Sequence, residues 1–398
     1  MTRQPSLRLA ILSLALGAFA IGTSEFAAMG LLPWYAADLG VSDPQAGHVV
    51  SAYALGVVVG APITSVLGAR LPRRRYLAAL IGIYGLINLL SAVLPGYSTL
   101  AVMRFLAGLP HGGFLGVAML FAADALPHEQ RAKGVTHVML GLTVANIIGV
   151  PVAGWLGQEL GWRWGFAVPG LLALAAAALI LRFAPRVGVD PNARPIEELK
   201  ALRNPAVILT LVVGAVGFGG LFAVYSYLSA AMLATTAAPG WAVPATLSAF
   251  GIGATLGSIG AARLTIRLGI FPSSLVLMLF MAATQGFAAW AVGNWPAMVA
   301  SALVLGLGSG MVVPLQTRLM DVAGRAQSMA SAMNHAAFNA ANALGPWLAG
   351  MALAAGWGWR APGLVAIALT GVGLVALAVA WLHDRRSAGD LAAPCAAE

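Results

Sequence analysis

PRVGVDPNARPIEELKALRNP (Pro185 to Pro205) is the longest stretch of this chain that has no place in an apolar medium. Arg186, Asp190, Arg194, Glu197, Glu198, Lys200 and Arg203 crowd into it. The sequence on either side is too apolar for a soluble protein, and the second half echoes the first. GVPVAGWLGQELGWRW (Gly149 to Trp164) returns as GPWLAGMALAAGWGWR (Gly345 to Arg360). Asn146 matches Asn342 and Gly154 matches Gly350 at a separation of 196, and Arg163 matches Arg360 at 197. GAPITSVLGARL (Gly60 to Leu71) returns as GATLGSIGAARL (Gly253 to Leu264), and Arg131-Ala132 as Arg325-Ala326. One match would be chance. Several at nearly one offset are an internal duplication, and the polar stretch is the hinge between its halves.

Composition sets the class. With 60% hydrophobic residues, 9% charged residues and a mean hydropathy of +0.87 over 398 residues, the chain reads as an all-α polytopic membrane protein. A spanning helix needs ~20 apolar residues, and the apolar runs divide into twelve. They lie near 9–33, 46–69, 76–95, 99–124, 134–156 and 163–183, then 207–233, 243–268, 272–293, 297–319, 326–354 and 361–383. The expected plan is two pseudo-symmetric six-helix bundles, 1–184 and 207–385, joined by a cytoplasmic linker 185–206 and followed by a tail 386–398. Arg3 and Arg8 before the first run suggest a signal sequence, but the run is too long for one and reads as a retained first helix.

Charge sets the orientation. Of the 22 Lys and Arg, 19 sort to the side of the N-terminus, Arg163 and Arg360 to the other, and Arg104 falls within a helix. Short loops rich in Lys and Arg stay inside, so both termini and the linker are expected in the cytoplasm. The net charge of +9 is therefore topology and not a nucleic-acid surface. Trp34, Trp162, Trp164, Trp241, Trp295, Trp357 and Trp359 sit at the opposite helix ends, where indoles favour the interface. The single Cys395 excludes an intramolecular disulfide and a cysteine metal site. Small-xxx-small faces at Gly56/Gly60, Gly108/Gly112, Gly253/Gly257 and Gly306/Gly310 read as places of close helix approach. No phosphate loop, Gly-x-Ser-x-Gly or His-Glu-x-x-His is present, so an enzyme is not expected.

Several stretches resemble the major facilitator superfamily, in particular its twelve-span drug:proton antiporters and arabinose-efflux-permease-like exporters. GTSEFAAMGLLPWYAADLGVS (Gly22 to Ser42), SAYALGVVVGAP (Ser51 to Pro62) and RFLAGLPHGGF (Arg104 to Phe114) are similar to its first, second and fourth helices. GLTVANIIGVPVAG (Gly141 to Gly154) is similar to the exporter motif of the fifth helix, with Val150 between Gly149 and Pro151. The loop between the second and third helices departs from the family's Gly-x-x-x-Asp-Arg-x-Gly-Arg-Arg. Here it reads SVLGARLPRRR (Ser65 to Arg75), with Ala69 in place of the Asp. The resemblance makes Arg70, Arg73, Arg74, Asn146, Gly149, Pro151 and Gly154 conformational or gating residues. Without the acid, the three loop arginines are expected to act mainly through topology and contact with anionic headgroups.

Intramembrane charge marks the candidate site, because a mid-helix charge costs ~2.5–3.5 kcal/mol by insertion scales. Glu25 and Arg104 are the two charges well inside spans. At 1.5 Å per residue they lie roughly 12 Å and roughly 8 Å below the same surface. They are read either as a proton-coupling pair or as a static ion pair holding two helices. His111, seven residues after Arg104 on the same face, is either a proton relay or a packing histidine. His335, Asn339 and Asn342 form one polar stripe, either lining a cavity or joining helices. Tyr225 and Tyr227 are two apart, so at most one lines a substrate cavity. The Asn146 side chain is a candidate to satisfy carbonyls freed by Pro151.

The function that follows is export of a small organic solute against proton entry by alternating access, in a bacterial inner membrane. The proton gradient is the energy source and no cofactor is expected. The partners are the solute and the bilayer, with no nucleic acid, and the chain is expected to be a monomer. Proton symport or facilitated uptake is the nearest alternative, and a non-transporting membrane sensor the one of a different class.

Overall fold

The computed structural model describes residues 7–68, 71–127, 130–186, 204–323 and 327–392. Among them every regular element is helical, as a hydrocarbon solvent demands, because a helix satisfies its backbone polar groups within one segment. The first half holds α1 (Leu7–Gly30), α2 (Asp43–Gly68), α3 (Arg73–Val93), α4 (Tyr97–Asp124), α5 (Lys133–Glu159) and α6 (Trp164–Phe183). The second holds α7 (Pro205–Thr235), α8 (Ala242–Leu268), α9 (Ile270–Ala291) and α10 (Trp295–Val322), then α11 (Gln327–Ala354) and α12 (Ala361–Ala392). Eleven of these meet the length and apolarity of a membrane span, and α11, at 28 residues, has the length of one. Arg70, residues 187–203 of the linker and residues 393–398 of the tail lie outside the described residues.

The duplication is visible in packing as well as in sequence. A Cβ on Gly60 of α2 would lie 2.2 Å from the carbonyl oxygen of Leu109 on α4, and one on Gly257 of α8 would lie 2.2 Å from that of Leu307 on α10. Gly108 and Gly306 complete the two crossings, facing the carbonyls of Tyr53 and Phe250. All four small-residue faces read from the sequence therefore pair with each other, α2 with α4 and α8 with α10. Backbones that close leave room for no side chain.

The face that carries the start of α1 is called here the terminal face, and the other the opposite face. At the opposite face the short helix Leu32–Asp38 follows α1. Its Asp38 accepts from Trp162 Nε1 at 2.9 Å and Arg163 Nη1 at 2.6 Å. The Trp162 and Arg163 bonds hold the Asp38 carboxyl below its ordinary pKa. At the terminal face Arg73 pairs with Asp124, and Arg131 lies 3.6 Å from the same carboxylate. The acid that Ala69 does not provide thus reaches Arg73 from the end of α4.

The charge inventory read from the sequence needs one correction. Arg318, counted there as a loop cation, lies inside α10 and is 3% exposed. It donates through Nε to Thr210 Oγ1 of α7 at 2.7 Å and through Nη2 to Asp384 Oδ1 of α12 at 3.1 Å, with Phe271 of α9 beneath it at 4.3 Å. Its neighbours in sequence do not reveal that its partner is a carboxylate 66 residues away. That acid sits beyond position 383, where apolarity ends but the helix does not; α12 continues to Ala392.

The halves meet through α2 with α11 and through α5 with α8. Ser51 donates to the Ala343 carbonyl at 2.9 Å, and nearer the terminal face Ala61 packs on Met333 and Ala336. The Tyr227 hydroxyl, donating to the Pro346 carbonyl at 3.1 Å, packs against Gly47 and Gly350. On the other flank Gly251 of α8 lies against the backbone of Asn146, where a Cβ would fall 2.2 Å from the carbonyl oxygen. Gly154 of α5 approaches Leu247 of α8, as does Gly30 of α1. These contacts join the two halves toward the opposite face.

Candidate functional site

α5 passes through a π-turn at Ala145–Gly149 just before Pro151. Proline has no N–H and its ring clashes with the preceding turn; the wider turn absorbs both, with Val150 N–H donating to the Ala145 carbonyl. The backbone, not the Asn146 side chain, makes the adjustment. Among the described residues that side chain has no hydrogen bond, which corrects the role expected for it. Gly149 fits against Thr23 of α1, so the motif positions α5 between α1 and α8.

Arg104 on α4 is fully buried. Its Nη1 donates to Ser24 Oγ at 3.0 Å and to Asn88 Oδ1 at 3.2 Å, and its Nη2 lies 3.4 Å from the Ser24 carbonyl. Its guanidinium lies over the ring of Tyr53 at 4.1 Å and near that of Phe166 at 5.0 Å. Ser24 donates to Asn88 Oδ1 at 2.6 Å, and Asn88 Nδ2 donates to the Tyr84 carbonyl at 2.9 Å. The cation is thus held by neutral dipoles and aromatic faces.

Glu25 is the next residue after Ser24, and among the described residues it is the only buried carboxylate. It forms no ion pair with Arg104 in this conformation. Its Oε1 instead accepts from Asn342 Nδ2 of α11 at 3.2 Å. The two intramembrane charges come to one place, as their depths predict, but Glu25 reaches across to the other half while Arg104 stays within its own. Among the described residues, Asn342 Oδ1 is buried without a partner, as is Asn339 Oδ1.

The remaining candidates divide. Tyr53 Oη lies 2.9 Å from His111 Nδ1 and 3.4 Å from Tyr84 Oη. The ring of His111 meets that of His335 edge to face at 6.4 Å across the two halves. Asn339 turns back to the His335 carbonyl of its own helix at 3.0 Å. Tyr225 stacks on Phe250 at 4.0 Å with Phe26 at 6.0 Å, an aromatic group beside Glu25. Tyr227 is committed to the α2–α7–α11 junction described above. Sequence reasoning did not single out Ser24, Tyr53, Tyr84 and Asn88. The usable signal was Asn88, a lone amide in the apolar run of α3.

Two six-helix halves, buried opposite charges on α1 and α4, and a π-turn ahead of the α5 proline match the resemblance. The Major Facilitator Superfamily profile covers residues 14–272 and 231–394. The chain belongs to this superfamily. It is 37% identical over 368 residues to the inner membrane transport protein YdhP of Escherichia coli (strain K12), with 92% of this chain and 94% of that protein covered. It is 32% identical over 372 residues to a chloramphenicol resistance protein of Streptomyces lividans, covering 89% and 93%. A solved structure of a bacterial homologue of the human lysosomal transporter Spinster, in an inward-facing and unoccupied conformation, matches with a TM-score of 0.70. It is 15% identical and covers 95% of this chain and 97% of that one. As a member of the superfamily the protein is a multi-pass transporter of the inner membrane and not an enzyme.

Proposed function

We propose that this major facilitator transporter exports a small organic solute in exchange for protons, with Glu25 as the coupling acid. The observation that carries the proposal is the Glu25–Asn342 contact between the halves. A buried intramembrane acid is functional by default, and this one bridges the two bodies that alternating access must move. A protonated Glu25 can donate its O–H to Asn342 Oδ1, which has no other partner, while Asn342 Nδ2 donates back. Acid and amide then share two hydrogen bonds. The ionised form keeps one, and its charge is drawn toward Arg104. Proton loading therefore tightens the clasp between α1 and α11, and release loosens it. Tyr53, His111 and His335 extend the polar track between the halves and are read as the relay. The resemblance to a chloramphenicol resistance protein supports efflux of an organic molecule, and the aromatic group of Phe26, Phe222, Tyr225 and Phe250 offers it an apolar surface.

The test is uphill efflux from proteoliposomes under an imposed pH gradient, using a panel of organic cations and chloramphenicol. Glu25→Gln keeps the shape and the bond to Asn342 but cannot ionise. It is expected to leave the protein folded and inserted, and to abolish proton-driven transport while solute exchange persists. Glu25→Asp should retain part of the activity. Near-wild-type uphill transport by Glu25→Gln would remove Glu25 from coupling.

A further inference from the structure

At the terminal face, where α3 begins and α6 ends, a cavity of about 330 Å³ is lined by Pro72, Arg74, Arg75, Leu181 and Arg186. Three guanidinium groups border it and, among the described residues, no carboxylate does. Arg73, their neighbour, is already matched by Asp124, but among the described residues Arg74, Arg75 and Arg186 form no ion pair. Arg74 is anchored across the cavity by donating from Nη2 to the Leu181 carbonyl, and its buried Nε has no acceptor among the described residues. Three uncompensated cations at one mouth repel each other unless an anion lies between them. The walls are as informative as the charges. Leu181 is 45% exposed, and Leu71, Ile83, Leu86 and Leu171 present further uncovered apolar surface on the outer flank of α3 and α6. Neither helix makes an extensive contact with the second half, which leaves this flank to the lipid.

We infer that this cavity is a binding site for the phosphodiester headgroup of an anionic phospholipid, with its acyl chains lying along α3 and α6. A guanidinium offers a planar fork of donors that matches a phosphate in two bonds, and basic pockets between spanning helices on the cytoplasmic side suit anionic headgroups. The uncovered leucines and isoleucine favour a lipid over a soluble phosphate, since a free anion has no use for an apolar track. The site is independent of Glu25 and of the transport mechanism proposed above.

Native mass spectrometry of the full chain in detergent, titrated with phosphatidylglycerol or phosphatidylcholine, tests the inference. Wild type is expected to retain phosphatidylglycerol well above phosphatidylcholine. The triple variant Arg74→Gln, Arg75→Gln, Arg186→Gln should weaken that retention by on the order of a hundredfold, or about fivefold per cation. The control pair Arg385→Gln, Arg386→Gln, on the same face but away from the cavity, should change little. If the triple variant fails to fold, Arg186→Gln alone, outside any helix, still predicts the fivefold loss. Equal retention of both lipids, or retention unchanged by the arginine substitutions, overturns the proposal. Displacement of the lipid by millimolar inorganic phosphate also overturns it, by assigning the site to a soluble anion.

Discussion

Two arginines illustrate how burial decides what a charge is worth. Arg73 is 28% exposed in its pair with Asp124, and pairs of that kind contribute ~0–1 kcal/mol. Arg318 is 3% exposed, and its partner Asp384 joins α12 to α10 while Thr210 brings in α7. Removing the acid strands a desolvated guanidinium, which for a hydrogen bond to a charged group costs about 1.5–3 kcal/mol. Asp384→Ala should therefore lower the denaturation midpoint of the purified protein clearly, and Asp124→Ala by little or nothing measurable. Equal shifts would show that Arg318 finds water when its partner is lost. None of this was legible from residue type alone. Arg318 and Arg73 both read as cations near a helix end, and burial is a property of what three other helices place around them.

Among the elements, α5 and α8 carry the clearest consequence. Their contact is backbone on backbone, Gly251 against the Asn146 carbonyl, at a π-turn imposed by Pro151. A branched side chain at position 251 cannot be accommodated without parting the helices, and the parting opens the opposite face. Gly251→Val should thus bias the protein toward a state accessible from that face. In a Cys395→Ser background, Phe26→Cys should then react faster with an impermeant maleimide added from the opposite side. No change in labelling would mean that α8 relaxes by sliding. The small-residue spacing of Gly253 and Gly257 announced a close approach, whose partner on α10 the fold supplied. It said nothing of Gly251, whose partner lies in the other half.

At the scale of the molecule, the proposed direction of transport depends on which face is cytoplasmic. Setting the buried Arg318 aside, the partition of the other cations, 18 sorted to the side of the N-terminus and two to the other, places the linker and both termini inside. An alkaline phosphatase fused after Ala238 should be active, and one fused after Asn192 inactive. Reversed activities would invert the orientation and, with it, the proposed direction of transport.

Twelve spans, their order, the duplication and the depth of Glu25 and Arg104 were all determined by the sequence alone. Each depends on local or repeated properties: apolar run length against bilayer thickness, a recurring offset, and 1.5 Å of rise per residue. Only the tertiary structure decided that Glu25 joins Asn342 and not Arg104, that Arg104 is held by Ser24, Asn88 and two rings, and that Arg318 is buried. A helix's pattern states which residues share a face, but hydrocarbon gives no preference among apolar faces. Which face meets which partner is settled by close packing and by a few polar groups finding each other across helices. That is why the charges could be placed at a depth from the chain, and their partners only in the fold.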